Sequence, residues 1–239
     1  MEKKDDLNSK KCKKRHGLYF YVLILFLLCF LMRIVLVQYY TIATPSMAPT
    51  IQPGDRISAI KMLLFTRKIR ANDIIFFNRQ VESEKVEVYC KRVLGCPGDR
   101  IGAVDGHYWN DKYLKPIGVT EEQEKLRWMF DGFFKVTNSY EVIPFLESDW
   151  NVKNWGPIMV PSKGWTVALN DFARELYRQA IEHETGVTLE DSVTEYTFRK
   201  DYYFAVGDNV MSSFDSRYWG FIPEDFIVGI VGGKRFRNK

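Results

Sequence analysis

Two short segments carry residue types able to break an amide bond. One is Thr44-Pro45-Ser46-Met47-Ala48-Pro49-Thr50, and the other is Lys91-Arg92 within the stretch Val86–Asp99. A serine hydroxyl attacks a carbonyl only when a neighbouring base takes its proton. The usual base is histidine, but the chain holds only His16, His107 and His183. His16 precedes a long apolar run, and His183 ends an amphipathic stretch, Asp171–His183, in which Phe172, Leu176 and Ile181 recur at helical spacing before Gly186. An imidazole in the last turn of a helix complements the helix dipole, so neither is expected to serve Ser46. With no H-E-x-x-H and no paired C-x-x-C, no metal centre or other cofactor is expected.

Lys91 is the candidate base. Val86–Leu94 is rich in β-branched residues and alternates, then ends at Pro97-Gly98, which predicts a strand followed by a turn. Alternation puts Lys91 on one face with Tyr89 and Val93, and Arg92 on the other with Cys90. One of the two adjacent cations must therefore point inward. Burial disfavours an ammonium ion and lowers its pKa, which leaves a neutral amine that accepts a proton near neutral pH. Arginine cannot do this.

The elements that position these residues read mainly as strands, at Arg56–Ile60, Asp73–Asn78, Val86–Leu94, Trp165–Leu169, Tyr202–Val206 and Phe226–Val231, with turn residues between most of them. Gly232-Gly233-Lys234 lacks a P-loop pattern and reads as a strand end followed by a basic tail. Of the four cysteines, only Cys90 and Cys96 lie in this part of the chain. An extended connection sets their Cα atoms about 20 Å apart, beyond disulfide reach, so both are expected as free thiols.

No charge occurs from Leu18 to Met32. This is the length of a removable leader's apolar core, but two features favour retention. Continuing through Arg33 to Val37 gives about twenty residues, enough for a membrane span, and no small-x-small cleavage site follows. Tyr39 and Tyr40 read as interfacial aromatics. Lys3, Lys4, Lys10, Lys11, Lys13, Lys14 and Arg15 face only Glu2, Asp5 and Asp6, so the positive-inside rule keeps the N-terminus in the cytoplasm and places everything after about Tyr39 on the outer face. The net charge of +4 is mostly this leader, so nothing supports nucleic-acid binding. With 46% hydrophobic residues in 239, the remainder is expected to fold around a sizeable core.

Three more segments accompany the serine and the lysine: Gly54-Asp55-Arg56-Ile57, Gly98-Asp99-Arg100-Ile101, and Gly207-Asp208-Asn209 through Ser213-Phe214-Asp215-Ser216-Arg217-Tyr218-Trp219-Gly220. In this order, behind a span, they resemble the bacterial type I signal peptidases, membrane-anchored Ser-Lys endopeptidases of the cytoplasmic membrane. The resemblance implies Ser46 as nucleophile and Lys91 as general base. It also implies an oxyanion site made of the Ser46 N–H and the Thr44 hydroxyl, Ser213 holding the lysine amine, and Asp215 with Arg217 as a supporting pair. Asp208 and Asn209 read as scaffold. The implied fold is mostly β, an antiparallel catalytic domain with a variable inserted subdomain on one N-terminal transmembrane helix. Its expected parts are a tail at 1–17, a membrane helix at 18–37, a catalytic core at 38–106 and 203–233, a second subdomain at 107–202, and a basic tail at 234–239. The implied partners are the signal peptides of exported preproteins, membrane lipid and the secretion machinery.

Val210 departs from the family, which commonly has arginine directly after its Gly-Asp-Asn. That is the one feature favouring a catalytically silent, membrane-anchored homologue that binds signal peptides or export machinery. A Ser-Lys self-cleaving protease of the repressor type is the second enzyme reading, although that class acts in the cytoplasm and needs no span.

Overall fold

The structure is a computed structural model that describes residues 19–29, 36–82, 85–128 and 150–237. The chain divides into two units, Met1–Gln38 and Tyr39–Lys239. In the first, residues 19–29 form helix α1, every side chain of which is exposed. The expected tail at 1–17, Leu18 and residues 30–35 of the expected membrane helix, Arg33 included, lie outside the described residues, as do 129–149, Asn238 and Lys239. The expected transmembrane helix is therefore not observed as one: no helix among the described residues is long and apolar enough to cross a membrane.

The second unit is mostly antiparallel β. Its strands are β1 (Val37–Thr41, beginning just before the unit), β2 (Asp55–Ile60), β3 (Ile74–Glu82), β4 (Lys85–Gly95), β5 (Arg100–Val104), β6 (His107–Asn110), β7 (Trp155–Met159), β8 (Thr166–Ala168), β9 (Glu195–Thr197), β10 (Tyr202–Val206), β11 (Ile222–Pro223) and β12 (Ile227–Arg237). Seven of them form one sheet in the order β1-β2-β12-β3-β4-β10-β11, while β6-β5-β7 and β8-β9 make two smaller sheets. Helices α2 (Met62–Thr66), α3 (Thr120–Arg127), α4 (Asp171–Thr185) and α5 (Ser216–Trp219) connect them.

Local chemistry explains the strand entries. The carboxylates of Asp55, Asp73 and Asp99 each accept the N–H three residues back, from Gln52, Arg70 and Cys96, all at 2.9 Å. Each aspartate thus closes a turn immediately before β2, β3 or β5. Helix α4 is capped by Asn170, whose side chain accepts from the Ala173 N–H at 2.8 Å, and it ends at Gly186 with φ 71°. It buries Leu176 and Ile181 as its periodicity predicts, together with Ala173, Tyr177 and Ala180, while Phe172 packs at the edge of the same cluster.

Two registers leave one edge of the lysine strand open. Across β3–β4, Ile75 faces Lys91, Phe77 faces Tyr89 and Arg79 faces Glu87. On the other side of β4, β10 pairs only with Arg92, Val93 and Gly95. From Val86 to Lys91, β4 is therefore paired on one side, and no described strand covers the other.

The strand expected at Phe226–Val231 runs on to Arg237, with Arg235, Phe236 and Arg237 opposite Ile57, Arg56 and Asp55. The register shifts between Val231 and Arg235. Gly232 and Gly233, which read as a strand end, instead accommodate an irregularity within the ladder, so residues 234–237 pair rather than forming a solvated tail.

In β5, Gly102 is required by contact. A Cβ there would lie 2.5 Å from the Trp155 carbonyl oxygen and 2.8 Å from the Trp109 ring. Gly102→Ala is expected to destabilise the domain by about 1–3 kcal/mol, measured by denaturant unfolding; unchanged stability would refute this account of the β6-β5-β7 sheet.

Candidate active site

Ser46 occupies a single 3₁₀ turn, Pro45–Met47, whose first position suits proline's fixed φ. Met47, 1% exposed, plugs the turn into a cluster with Ile42, Ile51, Ile57, Ala59 and Phe76. The nucleophile's backbone is thereby fixed by packing beneath it. Thr44 Oγ1 lies 3.2 Å from Ser46 Oγ.

Lys91 rises from the open-edged part of β4 and is 3% exposed. It lines the same groove as Ser46, a hollow of about 530 Å³ whose walls include Tyr40, Ile42, Phe76, Tyr89, Cys90 and Phe214. Its Nζ lies 5.9 Å from the centroid of the Tyr89 ring, as their shared strand face predicts. Among the described residues, the nitrogen has no hydrogen bond and no ion pair. Burial holds the ammonium below the usual lysine range; the charge of Asp215 opposes that shift, and that of Arg217 adds to it.

Arg92 points the other way and is also largely buried. Its Nε and Nη2 grip both oxygens of Asp208 at 2.7 and 2.6 Å, and Nη1 donates to the Asn72 carbonyl at 3.0 Å. This pair holds the turn Gly207-Asp208-Asn209 against the lysine strand. The next residue completes the link, because the Asn209 N–H donates to the Ser46 carbonyl at 3.1 Å and its Nδ2 donates to the Pro45 carbonyl at 3.3 Å. One turn therefore ties the serine to the strand of the lysine. The adjacent charges were visible in the sequence, but their pairing across the fold was not.

Gly207 leaves no room for a side chain, since a Cβ would collide with Ser213 Oγ and come within 2.5 Å of the Ser46 carbonyl oxygen. Its N–H donates to Asp215 Oδ2 at 2.9 Å. Asp215 is fully buried and receives Arg217 Nε and Nη2 at 2.8 and 2.9 Å. Burial alone would raise the Asp215 carboxyl, but Arg217 outweighs it and holds it below the usual carboxylate range. Arg217 Nη2 also donates to the Val210 carbonyl at 3.1 Å, while the Val210 side chain, 1% exposed, packs in the main core.

Ser213 lies in this layer, but its Oγ is buried without a hydrogen-bond partner, so the expected bond to the lysine amine is not formed. The structure thus brings Thr44, Ser46 and Lys91 to one groove and sets Ser213, Asp215 and Arg217 behind it. His107 and His183 pair elsewhere, with Glu124 at 3.3 Å and Asp225 at 3.8 Å. Cys90 and Cys96 are free thiols, each pushed up to about 12 by burial. Among the described residues, no three His, Cys, Asp or Glu side chains are placed to hold a metal ion.

Comparison with known proteins identifies the family of the chain. The chain is 27% identical over 250 residues to the signal peptidase I of Buchnera aphidicola subsp. Baizongia pistaciae (strain Bp), covering 93% of this chain and 76% of that protein. It is 26% identical to signal peptidase I P of Bacillus subtilis subsp. natto, over 87% and 82% of the two chains. It is likewise 26% identical to signal peptidase I T of Bacillus subtilis (strain 168), over 95% and 91%. A family model described as signal peptidase, peptidase S26, matches residues 15–233, a span that contains the serine turn, the lysine strand and the Gly207–Gly220 segment behind them, and the chain belongs to that family.

Proposed function

We propose that the protein is a serine endopeptidase that removes N-terminal signal peptides from exported preproteins by a Ser46–Lys91 dyad. The observation that carries this reading is a buried lysine nitrogen with no counter-ion touching it, in the same groove as a serine. As a neutral amine, Lys91 takes the proton from Ser46 Oγ as the oxygen attacks the scissile carbonyl, then returns a proton to the departing amine. Water, activated by the same amine, releases the acyl group. The Ser46 N–H and the Thr44 hydroxyl stabilise the oxyanion, with the 3.2 Å approach of Thr44 Oγ1 to Ser46 Oγ as support. The unpartnered Ser213 hydroxyl is available to hold the lysine amine once substrate closes the groove.

The substrate adds as an extended strand to the open edge of β4 at Val86–Lys91. Tyr40, stacked on Phe76 with ring centroids 4.7 Å apart, forms part of the apolar wall of the groove. This supports small side chains at the first and third positions before the cut.

We further propose that residues 18–37 anchor the enzyme in the bacterial cytoplasmic membrane, N-terminus inside and catalytic domain on the outer face, beside lipid-tethered preproteins emerging from the secretion machinery. The exposed apolar side chains of α1 support this. Tethering enzyme and substrate to one bilayer raises their effective concentration.

Ser46→Ala and Lys91→Ala are each expected to abolish cleavage of a preprotein with a small-x-small site while leaving the circular dichroism spectrum unchanged. Residual turnover by either at neutral pH would overturn the dyad. Thr44→Val is expected to lower kcat by about 10²–10³, and Gly207→Ala by about 100-fold through displacement of the serine turn. The pH profile has a definite sign: the base works when unprotonated, so activity is lost as pH falls through the depressed Lys91 pKa and recovers as pH rises. A profile flat into acid would exclude a lysine base.

A further inference from the structure

Arg79, on β3, is a second half-buried cation beside the groove. Its Cζ lies 5.1 Å from the ring centroid of Phe214, 5.2 Å from that of Trp219 and 5.7 Å from that of Tyr89. Rings in this arrangement stabilise a guanidinium while withdrawing it from water. They accept none of its five N–H donors. Among the described residues, no carboxylate pairs with Arg79. Glu87, its partner across the β3–β4 ladder, is held by Lys85 at 2.6 Å.

Its position relates it to the reaction. Tyr89 and Phe214 line the groove of Ser46 and Lys91. Arg79 and Trp219 line a separate hollow of about 170 Å³ with Gln179 and His183, and no carboxylate contributes to that lining. Arg79 therefore stands in the partition between the two hollows. One ring, Tyr89, lies between the cations, 5.9 Å from Lys91 Nζ and 5.7 Å from Arg79 Cζ. A chain extended along β4 advances about 3.3 Å per residue, so a residue about two to four positions from the scissile bond reaches the guanidinium.

We propose that Arg79 is a specificity-determining residue: held by Tyr89, Phe214 and Trp219, with no carboxylate among the described residues engaging its donors, it binds an Asp or Glu side chain of the substrate close to the scissile bond. A planar fork that donates two parallel bonds matches a carboxylate, and no carboxylate lines the hollow behind it to compete. The proposal rests on the endopeptidase reading above.

The test uses the detergent-solubilised full chain and peptides that differ at one position, Asp against Lys. That position is moved through the four residues on either side of the cut, with the two small-residue positions left alone. At one position or two adjacent ones, kcat/KM for Asp is expected to exceed that for Lys by about five-fold. The ratio should fall to about one in Arg79→Gln and invert in Arg79→Glu. Both peptides are measured on the same enzyme, so a partial loss of folded protein cancels. A wild-type ratio near one at every position, or a ratio that survives Arg79→Gln, overturns the proposal and leaves the peptidase reading intact. Failure of the wild type to cut any of the peptides removes both.

Discussion

The constraint on which the domain turns is a lysine nitrogen taken out of water with nothing negative in contact. An isolated buried ammonium is unfavourable by several kcal/mol unless it loses its proton, so burial favours the neutral amine. The acid whose charge acts on it most, Asp215, is engaged by Arg217 on both oxygens. Were that carboxylate free to turn to Lys91, the lysine would be held protonated and unable to act as a base. The Asp215–Arg217 pair thus leaves Asp215 acting on the amine without contact, so that its charge opposes the effect of burial but does not reverse it.

Buried ion pairs add little net stability but are strongly destabilising to break, so they serve here as registration devices. Arg92–Asp208 joins the lysine strand to the turn whose next residue, Asn209, holds the serine turn. Arg217 reaches from Asp215 to the Val210 carbonyl. The Val210 side chain in the hydrophobic core contributes packing, and its carbonyl a backbone acceptor, to the layer behind the groove.

Much of this was legible in the chain. Alternation in Val86–Leu94 separates Lys91 from Arg92 correctly, and the helix ending near His183 is announced by Leu176, Ile181 and Gly186. The short elements were not legible. β9 and β11 are too brief for a period to show, β7 carries Gly156-Pro157, which reads as a break, and α3 presents Thr120-Glu121-Glu122 with little apolar pattern. Gln123 in that helix is buried because its side chain accepts from the Tyr108 N–H and donates to the Ile117 carbonyl, a tertiary role that no local rule announces. Gly232-Gly233 misled for a related reason: a strand can continue through glycines when its ladder is fixed by neighbours rather than by its own side chains. The open edge of β4 is a property of topology and exists only once β10 has paired with the strand's far end.

β12 comes later in sequence than the strands on either side of it, yet it lies in the middle of the sheet, between β2 and β3. Ser46 is connected to the β1–β2 side and Lys91 to the β3–β4 side, so a segment synthesised after both is the wedge that sets their separation. Until it inserts, the two halves have no common sheet, and the Gly207-Asp208-Asn209 turn links the Ser46 turn to the Lys91 strand. A nascent chain of this protein therefore cannot complete the sheet that joins the two sides until residues 227–237 become available.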